Sequence, residues 1–282
     1  MIDFIHQFKR NRTGIIGAVI LLCLLLLTIF APILTTHDPR AGDLQFRLLP
    51  PVWETGGVWS HPLGCDQQGR DIFSRLLYGA RVSLVIGCSV VLISAIIGTI
   101  LGLLSGYFGG WLDNIIMKIT DILLAFPFLI FAIGLMAVLQ PGITTIILTL
   151  TLKGWVPFCR LVRGDTLILK TKEHVEAARA LGARHFHQLF RQILPNIIPS
   201  VIVLGTLTVA TVILLEASLS FLGLGVQPPT PTWGGMISEG REYMLEEWWL
   251  STFSGIAILI SVLAINLFGQ GLRDTLDPRM ND

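Results

Sequence analysis

Long stretches without a charged residue are the feature that most constrains the fold. They lie at residues 14–34, 82–108, 122–152, 193–215 and 248–272. A helix needs about 20 mainly apolar residues to cross a bilayer, so each stretch is long enough to do so. The chain is 52% hydrophobic and 14% charged, a balance unusual for a soluble domain of 282 residues. The sequence therefore predicts an all-α integral membrane protein surrounded by the lipid bilayer.

The N-terminal stretch predicts a retained helix rather than a cleaved signal peptide. Lys9, Arg10 and Arg12 precede it, as basic residues do in a signal peptide. The apolar region of a signal peptide is, however, only about 7 to 15 residues long. Because residues 14–34 can cross the bilayer, we expect a first transmembrane helix that starts on the cytoplasmic side.

The stretch at residues 122–152 and the charges after it decide the number of spans. It is long for one span and short for two, and Pro141 and Gly142 divide it as a turn between helices would. Two spans fit only if helix three begins near Asp113 and helix four continues past Lys153. Six spans place the seven lysines and arginines of residues 160–191 in the cytoplasm, as the positive-inside rule expects.

With five spans the same basic segment would lie outside. Five arginines between residues 40 and 81 lie outside with either count, which weakens the rule without reversing it. We therefore predict six transmembrane helices with both termini cytoplasmic.

Glycine and proline positions predict how the helices pack. Gly98, Gly102 and Gly106 recur every four residues in helix two and form a stripe without side chains. Such a stripe lets a second helix approach closely, so we interpret it as a packing seam, with a flexible hinge as the alternative. Pro127 and Pro157 predict kinks in helices three and four.

Three ionisable residues fall at or near membrane depth, where charge is costly. Asp121 and Lys153 are each explained by a position near a membrane face, from which a side chain can reach water. Glu216 lies towards the outer end of helix five. Two roles are open for it: meeting a cationic group in a transport pathway, or hydrogen bonding to a neighbouring helix.

Two segments outside the spans have distinctive compositions. Ile72, Phe73, Leu76 and Leu77 have helical spacing and predict a short amphipathic helix at the outer interface, leading into helix two. Residues 225–249 contain three prolines and end in two tryptophans typical of an interfacial anchor. This stiff loop is predicted to shape the mouth of a pathway or to receive a soluble partner.

The most specific signal lies in the basic segment between helices four and five, which reads EHVEAARALGARHFHQLFRQILPN. It contains a run of small residues on a helix, a glycine able to end that helix, and a following Ile-Leu-Pro. This pattern resembles the EAA loop of binding-protein-dependent ABC importer permeases. The matching residues are Glu176, Ala177, Ala178, Gly182, Ile193, Leu194 and Pro195.

Other motifs extend the resemblance over nearly the whole chain. HPLGCDQQGRDIFSRLLYGAR, GYFGGWLDNIIMKITD, ASLSFLGLGVQPPTPTWGGM and NLFGQGLRDTLDPR are similar to the second-permease (C-type) branch of the dipeptide, oligopeptide and nickel permease family. Cys65 and Gln270 depart from the threonine and aspartate expected there. The resemblance implies a type I ABC importer permease fold in a bacterial inner membrane. It divides the chain into residues 1–80, a permease domain at 81–272 and a tail at 273–282.

The resemblance also implies the partners and the function. They are a second permease subunit, two ATPase subunits and an extracytoplasmic solute-binding protein, with no nucleic acid. The implied solute is a di- or oligopeptide, and nickel chelates or glutathione are alternatives. ATP and magnesium would bind the ATPase subunits, since this chain has no G-x-x-x-x-G-K-[ST] phosphate loop and no large soluble region.

The residues give little support to other functional classes. An ion-coupled carrier often has repeated halves, and the sequence has no clear internal repeat. An intramembrane hydrolase needs a nucleophile and base or metal ligands within the spans, whereas His174, His185 and His187 cluster in the basic segment. The four cysteines form no disulfide or metal-ligand pattern and are expected to be packing thiols. We therefore expect no catalytic residue, no metal site and no cofactor in this chain.

Overall fold

The regular elements of the structure are helices. The computed structural model describes Phe8 and residues 11–276. Its helices are α1 (Arg12–Ile29), α2 (Ala31–Leu34), α3 (Ile72–Phe108), α4 (Gly110–Ala125), α5 (Phe128–Val138), α6 (Ile143–Leu169), α7 (Glu173–Ala180), α8 (His185–Phe221), α9 (Trp233–Gly240) and α10 (Trp249–Leu276). Within these residues the only strand-like pairing is one bridge between Cys65 and Asp71. The all-α prediction is confirmed.

The helices provide five spans, or the predicted six if one bent pair is counted as a span. Five of them, α1, α3, α6, α8 and α10, are long and apolar enough to cross a membrane. The pair formed by α4 and α5 passes the same test together, although its two halves are bent by 91°. Counted as one broken span, the pair completes the six.

The break between α4 and α5 follows from Pro127. Phe126 has an extended backbone, with φ −83° and ψ 130°, which is the conformation favoured before proline. Pro127 also has no N–H to continue a helix. The predicted kink is therefore a complete break. Pro141 and Gly142 lie between α5 and α6, where the sequence predicts the turn between spans.

The predicted short amphipathic helix before the second span is wrong. Ile72 instead begins α3, which runs without interruption for 37 residues. Asp71 caps its N-terminus by accepting a hydrogen bond of 2.7 Å from the Ser74 backbone N–H. Ile72 packs with Met236 and Trp249 of α9 and α10. The apolar face that suggested a membrane surface therefore contacts protein.

The glycine stripe of α3 lies against α6. A Cβ atom on Gly98 would lie 2.5 Å from the Phe158 Cβ, and one on Gly106 would lie 2.8 Å from the Thr166 Cβ. Gly102 is equally close to the Cys159 carbonyl, at 2.6 Å. Because the contacts on α6 advance in step with the glycines, the two helices run parallel with their backbones in close approach. This geometry is that of a packing seam.

A cluster of buried charges connects α9 with the segment that lies between α2 and α3. Arg70 and Arg75 are each 1% exposed. Arg70 donates hydrogen bonds of 2.6 Å to both Asp66 and Glu239, and Arg75 donates one of 2.7 Å to Glu239. Buried charges are tolerated when they are paired and hydrogen-bonded in this way. The cluster fixes the segment before α3 and the first turn of α3 against α9.

The ends of the chain modify two expectations. Residues 273–276 belong to α10, so the helix continues past the predicted start of the tail at residue 273. Residues 277–282 and the basic pair Lys9 and Arg10 lie outside the described residues.

Candidate functional site

The segment between α6 and α8 is built around the short helix α7 and its glycine cap. The backbone N–H of Gly182 donates to the Arg179 carbonyl, and that of Ala183 donates to the Ala178 carbonyl, each at 3.0 Å. These two bonds form a Schellman motif, which needs a left-handed residue just after the helix. Gly182 supplies it with φ +80°. The glycine predicted to end the helix therefore does so for a conformational reason.

One apolar side chain fixes α7 to the helical bundle. Val175 is 2% exposed. It lies in a cluster with Leu103 of α3, Val162 of α6 and Ile193 of α8. Since Val175 is the only buried residue of α7, the other sides of this helix remain available to a partner.

The outward side of the segment combines small residues with exposed apolar ones. Ala177 is exposed and Ala178 is half-buried, so this part of α7 has a low profile. Beyond the cap, Leu181 is 89% exposed and Phe186 is 71% exposed. Phe186 also packs on Phe190, with ring centroids 4.4 Å apart. We define Ala177, Leu181, Phe186 and Phe190 as the apolar patch, because all four are exposed apolar residues of one segment; exposed apolar patches mark interaction sites.

Polar contacts tie the same segment to the end of α3. The Tyr107 hydroxyl lies 2.8 Å from both the Gln188 Oε1 and the His185 Nδ1. The hydroxyl donates to Gln188 and can accept from a His185 tautomer protonated at Nδ1. Gln188 in turn donates to the Ala183 carbonyl, next to the glycine cap, at 2.8 Å. Tyr107 therefore links α3 to the turn after α7.

The predicted Ile-Leu-Pro lies where the segment enters α8. Residues Gln188–Ile193 form a π-helical stretch, a rare form that occurs often at functional sites. Ile193 is fully buried, whereas Pro195 is exposed in the turn that follows. Ile193 thus anchors the start of α8, and Leu194 and Pro195 begin its regular helical part.

Glu176 is exposed, and within the described residues it forms no ion pair. Its carboxylate is therefore available to a partner at the N-terminal turn of α7.

Sequence reasoning identified the motif but missed its supports. Tyr107 and Gln188 are 81 residues apart, so no local pattern signals their contact. The contact between Phe186 and Phe190 could have been predicted from the sequence. The two residues are four apart, and residues with this spacing lie on one face of a helix.

Glu216 is the other ionisable residue singled out from the sequence, and it is 1% exposed. Ser220 donates a hydrogen bond of 2.8 Å to its Oε1, and Ser83 of α3 donates one of 3.4 Å to its Oε2. Within the described residues no cationic side chain pairs with it. Of the two roles left open, the geometry favours hydrogen bonding to a neighbouring helix.

Two sequence families match this chain. Residues 98–282 match the family described as "binding-protein-dependent transport system inner membrane component". Residues 1–51 match the N-terminal transmembrane domain of oligopeptide transport permease C. The chain belongs to the binding-protein-dependent permease family. It is a multi-pass component of the inner membrane, and members of this family are transporter permease subunits rather than catalytic proteins.

Curated relatives cover almost all of the permease. A dipeptide transport system permease protein of Escherichia coli (strain K12) is 45% identical over 278 residues, or 99% of this chain and 93% of that protein. A di/tripeptide transport system permease protein of Pseudomonas aeruginosa is 40% identical over 99% of this chain and 92% of its own length. A glutathione transport system permease protein of Pectobacterium atrosepticum is 41% identical over 99% and 91%.

A solved structure supports the fold of the permease. A chain of the inward-facing MetNI methionine ABC transporter aligns with a TM-score of 0.59 and 20% identity. The alignment covers 72% of this chain and 96% of that chain. The predicted importer-permease fold is therefore confirmed, and this likeness shows the fold alone.

The permease also carries three polar contacts between α4 and α6. Arg163 donates two hydrogen bonds to Asp113, at 2.6 and 2.7 Å, and Arg160 pairs with Asp121. The Lys153 ammonium donates to the Phe126 carbonyl at 2.6 Å. Asp121 and Lys153, which we placed near membrane faces, therefore both lie along the junction between these helices.

One group of residues has the composition of a metal site. Ligand atoms of His37, His61 and Asp71 all lie within 4.8 Å of one another. Within the group, the Asp71 Oδ1 lies 3.0 Å from the His61 Nδ1, and its Oδ2 caps α3 through Ser74. Asp71 therefore has a structural role at the start of α3.

The four cysteines are free thiols. Cys65 is buried, and burial, together with Asp71 and Asp66, raises the pKa of its thiol to about 12. This shift keeps the thiol protonated and unreactive at neutral pH.

Proposed function

We propose that this permease is a transmembrane subunit of an ATP-driven importer. It forms the translocation pathway for di- and oligopeptides that an extracytoplasmic binding protein delivers. The family supports the transport role, and relatives named for dipeptide and di/tripeptide transport support the peptide solute.

The segment around α7 carries this proposal. Its low-profile helix and apolar patch give an ATPase subunit a surface to seat on, while Glu176 gives it a charge to bind. Val175 and Tyr107 connect that surface to α3, α6 and α8. Movement of a docked ATPase would therefore reach the spans through the buried Val175 and the half-buried Tyr107, and the spans would switch between inward-open and outward-open arrangements.

The complete machine needs subunits beyond this chain. We propose a second permease subunit, two ATPase subunits and a binding protein as partners. ATP and magnesium bind to the ATPase subunits, in agreement with the lack of a phosphate loop in this sequence. The permease itself then holds no cofactor, and its role is mechanical.

The proposal places the α7 segment and both termini in the cytoplasm, and labelling tests this topology. Lys172 before α7 is exposed, and Leu245 between α9 and α10 is fully exposed. In a background without the native cysteines, Lys172→Cys is expected to react with a membrane-impermeant maleimide only from the cytoplasm. Leu245→Cys is expected to react only from outside, and labelling on the opposite sides would contradict the topology.

Uptake by the reconstituted complex tests the function itself. Proteoliposomes that hold the permease, the second permease subunit and two ATPase subunits are expected to accumulate a radiolabelled dipeptide when ATP and the binding protein are supplied. An ATPase variant unable to hydrolyse ATP is the control. Uptake driven by a proton or sodium gradient without ATP would instead support an ion-coupled carrier.

Glutathione is a second candidate solute, since a relative 41% identical to this chain is named for glutathione transport. A nickel chelate remains a third, on the resemblance described above. Mass spectrometry of the ligand retained by the purified binding protein separates these candidates from peptides.

A further inference from the structure

Lys153 lies near the middle of a transmembrane helix. It is the eleventh of the 27 residues of α6, so it lies roughly 15 Å along the axis from Ile143, at a rise of 1.5 Å per residue. The hydrocarbon core of a bilayer is about 30 Å thick. Charged side chains at such a depth are rare and face protein or water rather than lipid.

Beside Lys153 the backbone is broken between α4 and α5 and lacks one helical hydrogen bond within α6. The helix break at Pro127 leaves the Phe126 carbonyl outside a regular helix, and the Lys153 ammonium donates to that carbonyl. On α6, Pro157 lies four residues after Lys153 and has no N–H to donate to the Lys153 carbonyl. Irregular backbone at membrane depth is tolerated only where it is covered by protein or lines a water-filled cavity. Many secondary transporters place their binding sites near the bilayer midplane at such discontinuous helices.

The described residues of the chain cover this break only in part. Lys153 is half-buried, and Phe126 is 55% exposed. In the assembled importer this face must therefore contact the second permease or the pathway that forms between the two permeases.

Among the described residues, the charges nearest the break leave Lys153 without a carboxylate partner. Asp113 pairs with Arg163 and Asp121 pairs with Arg160. Within the described residues, no carboxylate pairs with Lys153, and the Phe126 carbonyl is the only acceptor of its ammonium. An ammonium has three donors. The site is thus suited to an incoming carboxylate.

We propose that Lys153 binds the carboxylate of the transported solute at the break between α4 and α5. This inference rests on the proposed function, because it places a solute contact in the pathway of a peptide importer. A peptide brings the missing anion as its C-terminal carboxylate. Binding there is transient, since the Phe126 carbonyl competes for the ammonium and supplies a partner when the solute leaves.

Uptake per ATP hydrolysed by the complete reconstituted complex tests the proposal. Lys153→Met keeps the length of the side chain and removes its charge, whereas Lys153→Arg keeps the charge. Lys118→Met is the matched control, because Lys118 is a lysine without an ion pair in the described residues but lies in the middle of α4, away from the break. Losing a hydrogen bond to a charged group is expected to reduce uptake of a free dipeptide about tenfold or more in Lys153→Met. Lys153→Arg and Lys118→Met are expected to stay within about twofold of wild type.

The chemical class of the solute group is tested with a dipeptide amide that the binding protein also holds. Because the amide has no carboxylate, its uptake is expected to be the same in wild type and Lys153→Met. An equal loss for the free acid and the amide, or loss of the second permease on purification, would overturn the proposal in favour of a subunit contact. Wild-type uptake of the free dipeptide by Lys153→Met would overturn it as well. Failure of the wild-type complex to import any peptide would instead contradict the proposed function.

Discussion

Substitution of Gly182 provides the sharpest test of how α7 couples to an ATPase. The residue has φ +80° and forms the glycine position of a Schellman cap. A left-handed conformation costs a residue with a Cβ atom about 1–2 kcal/mol. Apart from its two chain neighbours, no described residue has an atom within 4 Å of a Cβ atom placed on Gly182. Gly182 is also exposed, so a larger side chain there is directed to a surface that a partner can occupy.

Three variants separate backbone strain from bulk. Gly182→Asn is expected to stay near wild type, because asparagine tolerates the left-handed conformation. Gly182→Ala adds the strain with little volume and is expected to weaken the cap by about 1 kcal/mol, which is roughly a fivefold effect on ATPase docking. Gly182→Trp adds both the backbone strain and a large side-chain volume. It is expected to abolish ATPase docking, while the chain itself still inserts into the membrane.

Peptide-stimulated ATP hydrolysis by the reconstituted complex is the assay, together with recovery of the ATPase subunits on the purified permease. The expected order of stimulation is wild type and Gly182→Asn, then Gly182→Ala, then Gly182→Trp. If Gly182→Trp retained wild-type stimulation and wild-type ATPase recovery, the α7 segment would not be the docking surface. If Gly182→Asn failed as badly as Gly182→Trp, volume at this position would outweigh backbone conformation.

Two further variants test the packing of the spans. A Cβ atom on Gly102 would lie 2.6 Å from the Cys159 carbonyl, so Gly102→Ala is expected to destabilise the permease by about 1–3 kcal/mol and lower its melting temperature in detergent. Gly134→Ala is the control, because a Cβ atom on Gly134 would meet no described atom within 4 Å. This variant is expected to leave the melting temperature unchanged. Glu216→Leu leaves the Ser83 and Ser220 hydroxyls without their acceptor and is expected to cost about 1–3 kcal/mol. It should reduce complex recovery and uptake by the same factor for neutral and cationic peptides, and a selective loss of cationic peptides would restore a pathway role for Glu216.

Local sequence patterns predicted the elements that depend on local chemistry. Apolar stretches predicted the spans, the spacing of Gly98, Gly102 and Gly106 predicted close helix packing, and Gly182 marked the end of α7. Each of these signals lies within a few residues of the feature that it predicts. Helix was correctly predicted from Ile72, but its assignment to a separate helix at the membrane interface was wrong, because the apolar pattern of a helical face is the same whether the face contacts lipid or protein.

Contacts between distant parts of the chain could not be predicted from local sequence patterns. Arg70 pairs with Glu239 across 169 residues of sequence, and Tyr107 contacts Gln188 across 81. Neither pair has a periodicity or a motif of its own. Asp121 and Lys153 illustrate the consequence, because each was explained alone by a nearby membrane face. Their common position along the junction of α4 and α6 emerges only when the break at Pro127 brings Phe126 to Lys153.

Two routes connect the α7 segment to the middle of the membrane, and they differ in stiffness. Along α6 the route is covalent, but Pro157 interrupts its hydrogen bonds between α7 and Lys153. Across to α3 the route runs through Tyr107 and continues along the glycine seam, where two backbones are in close contact and resist sliding. Because the seam holds both helices together over Gly98 to Gly106, it can carry a displacement past the weak point at Pro157. Gly102→Ala measures this directly: if loosening the seam lowers ATP-coupled uptake more than it lowers assembly, the displacement passes through α3.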